Sequence, residues 1–207
     1  MNKLKLTILA VVASIFANNA SAFDPDDLQK LKDTLSCMKC NLRDADLIGV
    51  DLRGATLDGA DLSNANLKYV NLGAADLVGV TMRGADLSNA NLKYVNLGAA
   101  DLFSANLEKA NLEMALLLGA NLEKANLEMV NLFNANLKGA ILRATDLRGA
   151  DLWGAYLMEA NLKGADLKGA NLEGANLKGT ILSYAIMNGA ILCNTTMPDG
   201  SVIYSGC

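Results

Sequence analysis

The sequence has no histidine, two prolines and few aromatic residues, 5% of its 207 positions. Without histidine there is no imidazole base and none of the histidine-containing zinc ligand sets. No Gly-rich phosphate loop and no nucleophile elbow occurs. Charged residues make up 19%, against about 25% in ordinary globular domains. With so few large side chains, a conventional mixed core cannot be built. After residue 22 no stretch is apolar enough to cross a membrane. Acidic residues are plentiful but regularly spaced, so no carboxylate pair stands apart as an acid and base. The chain therefore reads as a non-enzyme with no cofactor and no metal site.

The formal charge is −4. Two of the basic residues, Lys3 and Lys5, precede an apolar run from Leu6 to Phe16 and the small-residue site Ala20-Ser21-Ala22. That is the layout of an export signal, and it places the mature start at Phe23. Without the leader the balance is 16 basic against 22 acidic residues, or −6. Such a balance speaks against nucleic acid or an anionic membrane as partner. The expected location is the periplasm, a thylakoid lumen or the outside.

What the chain has instead is a period of five. From Cys40 to Met197 the centre of every unit is Leu, except Met82, Met187 and Met197. Two residues before the centre stands Ala in 23 of the 32 units. Five matches neither a helix nor a flat strand and signals a solenoid. Units such as Ala65-Asn66-Leu67-Lys68-Tyr69 and Ala160-Asn161-Leu162-Lys163-Gly164 resemble the pentapeptide-repeat family, with its A-(D/N)-L-x-x consensus. The resemblance implies an all-β fold, a right-handed quadrilateral β-helix with four units to a coil and about eight coils. The Leu and the small residue then point inward and the other three positions face water. Asp or Asn before the Leu is placed to bond local backbone, and Gly at the unit's end eases the corner.

The ends break the phase. In residues 23–39, Asp24 is a good N-cap, Pro25 suits the first helical turn, and Leu28, Leu31 and Leu35 share a face. A capping helix from Pro25 to Leu35 is expected. Residues 198–207 open on the turn signal Pro198-Asp199-Gly200 and form the C-terminal cap. The cysteines lie in pairs at the two ends: Cys37 with Cys40, Cys193 with Cys207. Eight coils at strand spacing separate the pairs by roughly 38 Å, far beyond the ~7 Å Cα limit of a disulfide. Only the two local bridges are feasible, and export favours their formation. The spacing Cys37-Met38-Lys39-Cys40 also occurs in thiol-exchange motifs, but no βαβ pattern accompanies it.

Outward residues 20 apart should stack. Most resulting lines are polar, as in Ser63, Arg83, Glu123, Arg143 and Lys163. One region is apolar: Phe133 and Trp153 on one side, with Leu116, Leu118, Tyr156 and Met158 round the next corner. These six are the candidate protein-contact residues. Ile181, Ile186 and Ile191 replace Asp or Asn in three successive units. Cover by the C-terminal tail is the expected reason, and end-to-end homodimerisation through the last coil is the alternative to a monomer. The run 59–77 recurs at 84–102, and 106–114 recurs at 121–129. Neither offset is a multiple of 20, so the duplications moved outward residues to other faces. The rod thus grew by unit duplication and was not shaped around one face-specific ligand.

The function read from these features is an exported, non-catalytic structural or protein-interaction solenoid. The family resemblance also raises a nucleic-acid mimic that binds topoisomerases and protects them from quinolones. The export signal, the lack of inserted loops and the six basic against five acidic residues of 138–178 depart from that reading.

Overall fold

A computed structural model describes residues 23–204 and 207; the leader read at 1–22 lies outside them. Three named elements occur among the described residues: helix α1 (Pro25–Thr34) and the short strands β1 (Thr195–Thr196) and β2 (Val202–Ile203). Between α1 and β1 the chain is a stack of parallel bridges, each joining residues 20 apart, from Ser36↔Thr56 to Asn176↔Thr196. Four five-residue units therefore complete one coil, and the fold is an all-β solenoid.

One unit shows how its backbone is satisfied. Asp61 N–H donates to Cys40 O of the preceding coil at 2.9 Å. Leu62 N–H and Asn64 N–H donate to Thr81 O (2.7 Å) and Arg83 O (2.9 Å) of the following coil. Ala65 N–H closes the corner turn onto Leu62 O at 3.0 Å. The fifth donor, Ser63 N–H, goes to the Asp61 carboxylate at 2.9 Å. Every donor of the unit is used, as buried backbone requires. The Asp or Asn before each Leu thus replaces a missing backbone acceptor, an Asx turn repeated along the rod. These residues are less exposed than the sequence suggested: most are half-buried, and their amides also bridge coils, as in Asn91 to Asn71 (2.8 Å) and Asn126 to Asn106 (3.0 Å).

The core is two inward residues per unit. The Leu and Ala columns from Ala45 to Leu177 are buried almost without exception. Burying each Leu contributes roughly 1.5–3 kcal/mol, so these columns dominate stability. Thr145, Thr180 and Thr195 stand at inward positions without penalty, because their hydroxyls donate to Leu122 O, Leu157 O and Leu172 O at 2.6–2.8 Å.

At the N-terminal end α1 lies on the first coil. Asp24 caps it through Asp26 N–H (2.9 Å), and Leu35 ends it in the left-handed conformation. Leu31 is fully buried, with Phe23 and Leu28 packed against the core. Asp27 accepts the Asn41 N–H at 2.8 Å, where an interior coil would supply a carbonyl. At the other end β1 rests on Asn176 and pairs antiparallel with β2, Thr195 facing Ile203. The tail strand pairs on this side, and Cys207 is tied to Cys193 on the neighbouring Ile191 side. The expectation that it would cover the isoleucine ring is not met among the described residues: Ile181, Ile186 and Ile191 stay 40–49% exposed, since the tail strand pairs on the Thr195 side and Cys207 is held at Cys193.

The last residue of every unit from Lys39 to Asn194 has positive φ, 52–73°. Gly occupies 14 of these corners and the rest carry a Cβ. Ala144 and Gly164 are stacked neighbours in one corner line, with nothing near the site of a Gly164 Cβ. Only backbone strain then distinguishes them, about 1 kcal/mol. We predict that Ala144→Gly raises and Gly164→Ala lowers the denaturation midpoint by comparable amounts. An absent or reversed effect in thermal unfolding would contradict this account of the corners.

Candidate functional site

The apolar region spans three coils and two sides. Phe133 and Trp153 stand in the position after the Leu on one side, directly above one another. Their rings are parallel, 6° apart, with centroids at 4.8 Å. Their backbone N–H groups are held by the Asn131 and Asp151 side chains at 2.9 and 3.2 Å, so the stack stands on a fixed base. The corner between Trp153 and Tyr156 is Gly154, at φ 63°. A Cβ there would meet Asn134 Oδ1, so a larger residue at this corner would displace the Asn134 side chain. Trp153 and Tyr156 are both exposed, whereas Phe133 and Met158 are half-buried.

The six candidate contact residues do not form one surface. The ladder runs Leu116, Asn136, Tyr156, so Leu116 and Tyr156 are two coils apart, roughly 10 Å. Lys138 stands between Leu118 and Met158 in the same way, with Glu159 at 3.7 Å from its Nζ. The contiguous group is Phe133, Trp153, Tyr156 and Met158, while Leu116 and Leu118 form a second apolar spot. Met114, exposed at the corner beside Leu116, belongs to that spot; its position at a unit's end was the signal. Sequence reasoning also missed Phe103, which stands among polar neighbours. The Arg83 guanidinium lies 4.4 Å from its ring centroid and Lys124 Nζ lies 5.4 Å away, a cation–π sandwich across three coils.

The rest of the surface is laced by ion pairs, some between coils and some within one unit. Arg43 meets Asp61 (2.9 Å), Lys93 meets Glu113 (2.8 Å), and Arg148 meets both Glu128 (2.8 Å) and Asp146 (2.7 Å). The hydrogen bonds from Arg148 hold Asp146 below the usual carboxylate range despite its partial burial. For Asp61 and Asp86 burial alone would raise the pKa. The Ser63 and Ser88 hydroxyls and N–H groups, with Arg43 and Lys68, outweigh it and lower both.

The cysteines pair as the end-to-end separation required. Cys37–Cys40 and Cys193–Cys207 are both disulfides, with Cα–Cα distances of 5.4 and 5.0 Å. Cys37 and Cys40 are buried, which removes them from solvent-borne thiols. Asp27 lies beside them within metal-ligand reach, but sulfurs joined in a disulfide are not thiolate ligands. The open depression beside Leu35, Asp51 and Arg53 is lined by an ion pair, Arg53 to Asp51 at 2.8 Å.

The bridges between residues 20 apart define a repeat solenoid. Pentapeptide repeats match in eight copies, over segments that run from residue 40 to residue 197. The chain belongs to the pentapeptide-repeat family. No curated protein matches it. Among solved structures it is similar to HetL, a pentapeptide repeat protein involved in heterocyst differentiation regulation from the cyanobacterium Nostoc sp. strain PCC 7120. Identity is 31%, over 85% of this chain and 97% of that one, with a TM-score of 0.41. QnrB1, a plasmid-mediated fluoroquinolone resistance protein, is 19% identical over 77% of this chain and 87% of that one, TM-score 0.49. A pentapeptide repeat protein from the Arabidopsis thaliana thylakoid lumen is 27% identical over 57% and 65%, TM-score 0.19.

A carboxylate held below its unfolded pKa, near 3.9 for Asp, stabilises the fold at every pH above that value. The contribution is lost as pH falls through the folded value. We predict a flat thermal midpoint from neutrality to about pH 5 and a steep loss below pH 4. Asp146→Asn should flatten the acid limb. An unchanged acid limb in this variant would contradict the role given to Arg148.

Proposed function

We propose that this chain is an exported, non-catalytic rod that docks a protein partner on its side. The observation that carries the reading is the parallel Phe133–Trp153 stack beside exposed Tyr156. Exposed aromatics on a rigid base give large contact area at little ordering cost. Export is supported by the leader of residues 1–22 and by two disulfides, which persist in oxidising compartments. About eight right-handed coils, closed by α1 at one end and the tail strand at the other, belong to the same reading, with a periplasm, lumen or the exterior as its setting. The acidic side chains are met by Arg43, Lys93 and Arg148 across coils, which breaks up the continuous anionic strip a nucleic-acid mimic needs.

Two measurements test this. N-terminal sequencing of the exported protein should read from Phe23; an uncleaved cytosolic chain would overturn the export reading. Affinity capture from the exported fraction should recover a partner with wild type that is lost with Trp153→Ala/Tyr156→Ala. Equal recovery by both would remove the side patch as the contact.

A further inference from the structure

Charge in the C-terminal half of the rod is sorted by side, which its order in the sequence conceals. The runs 136–144, 156–164 and 176–184 lie directly over one another. The ladder joins Asn136, Tyr156 and Asn176 on one side, and Ile141, Asn161 and Ile181 on the next. Their corners are tied as well: Gly139 N–H donates to Met158 O at 2.9 Å and Ala144 N–H to Lys163 O at 3.0 Å. Together the runs make two adjoining sides, with the outer rows roughly 10 Å apart. They carry Lys138, Arg143, Lys163 and Lys178 against a single acid, Glu159. The stretches between them, 145–155 and 165–175, form the other two sides of these coils. Those carry Asp146, Asp151, Asp166 and Glu173 against Arg148 and Lys168.

The cations on the first pair of sides are also the uncommitted ones. Elsewhere most repeat cations meet a carboxylate, as Arg43 meets Asp61 and Arg148 meets Glu128 and Asp146. Arg143, Lys163 and Lys178 are exposed and have no ion-pair partner among the described residues. Lys163 Nζ has the Tyr184 ring, 5.8 Å from its centroid, and Lys138 has Glu159 at 3.7 Å. Between the cations stand exposed Ile141, Tyr156 and Ile181, with half-buried Met158.

We propose that these two sides bind an acidic segment of a partner protein. Its carboxylates meet Arg143, Lys163 and Lys178, and its apolar side chains lie on Ile141, Tyr156 and Ile181. This rests on the reading of the rod as a side-docking protein and names the chemistry of what docks. Unpaired cations set among apolar groups match a segment that mixes acidic and apolar residues. Arg143 and Lys163 stand one strand spacing apart, ~4.8 Å, so their charged ends can share one carboxylate or hold two side by side. The acidic neighbouring sides repel the same segment and confine it to this surface. A bilayer or a nucleic acid is a different case, because it faces much of the rod at once. The chain beyond the leader is −6 even with this surface included, which opposes an extended polyanion. A short segment meets mainly the charges within a Debye length, about 8 Å at physiological salt, and here those are cations.

The test uses the mature, disulfide-bonded protein and two short labelled peptides, one alternating glutamate and leucine, the other lysine and leucine. Fluorescence anisotropy should show binding of the acidic peptide alone, weakening as salt is raised. Trp153, the chain's one tryptophan and the neighbour of Tyr156 across the Gly154 corner, should change its emission. Arg143→Glu/Lys163→Glu should bind about tenfold more weakly, with circular dichroism unaltered. Should that variant not fold, Lys163→Gln alone should still weaken binding. Binding of neither peptide, equal binding of both, or acidic-peptide binding untouched by these substitutions would overturn the proposal. So would co-sedimentation with phosphatidylglycerol vesicles that is lost in Arg143→Glu/Lys163→Glu, which assigns the surface to lipid. Capture of a partner separates this inference from the docking reading beneath it. Capture lost with Trp153→Ala/Tyr156→Ala but kept by Arg143→Glu/Lys163→Glu would preserve side docking and overturn the acidic partner.

Discussion

Each coil is completed by the next. The backbone donors of a unit reach backward once and forward twice, and the Leu and Ala beneath them are covered only when another coil lies above. A single coil would leave its donors and its core open. Stability is therefore a nearest-neighbour property that accumulates along the rod. The interior can be monotonous, because any unit with Leu and a small residue in place continues the stack.

The same dependence makes the ends the places where this chain differs from a generic repeat. At the first coil a helix lies over the core, and the Asp27 carboxylate receives a backbone donor that has no preceding coil. Cys37–Cys40 fixes the chain where helix passes into coil. The last coil has a strand paired on the Thr195 side, a disulfide from Cys207 to Cys193 on the Ile191 side, and no charged residue there or on the sides of Ile181 and Ile186. The asymmetry is chemical as well as geometric. One end is charged and roofed by a helix, the other carries exposed isoleucines, so the two ends face their surroundings on different terms.

On the sides, the spacing of 20 makes neighbours of residues distant in the chain. Arg148 bridges Glu128 and Asp146, Arg83 lies over Phe103, and Phe133 stacks on Trp153. Duplication by 25 or 15 residues rotates such partners onto other faces. Tyr69 and Tyr94 are copies of one residue, yet they sit at different corners. Apolar side chains clustered after this shuffling depart from the mixed polar ladders around them.

Much of this fold is legible in the sequence. The period of five, the inward Leu and Ala, the helix after Asp24 and the local cysteine pairs are all written in order along the chain. They follow from constraints that act within a unit or between adjacent residues: which side chain points in, where a corner needs positive φ, which residue caps a helix. Other properties are decided only by the tertiary structure, because they depend on pairs 20 residues apart or on a missing neighbour. Asn136 and Lys138 divide the apolar region that the sequence joins, since a patch depends on which rungs intervene. Phe103 becomes a cation–π centre through Arg83 and Lys124, each one coil away. The isoleucines stay largely exposed because the path of the tail is set by its strand pairing and its disulfide and not by its composition. Periodicity determines what a unit can be; the stack alone determines what each unit meets.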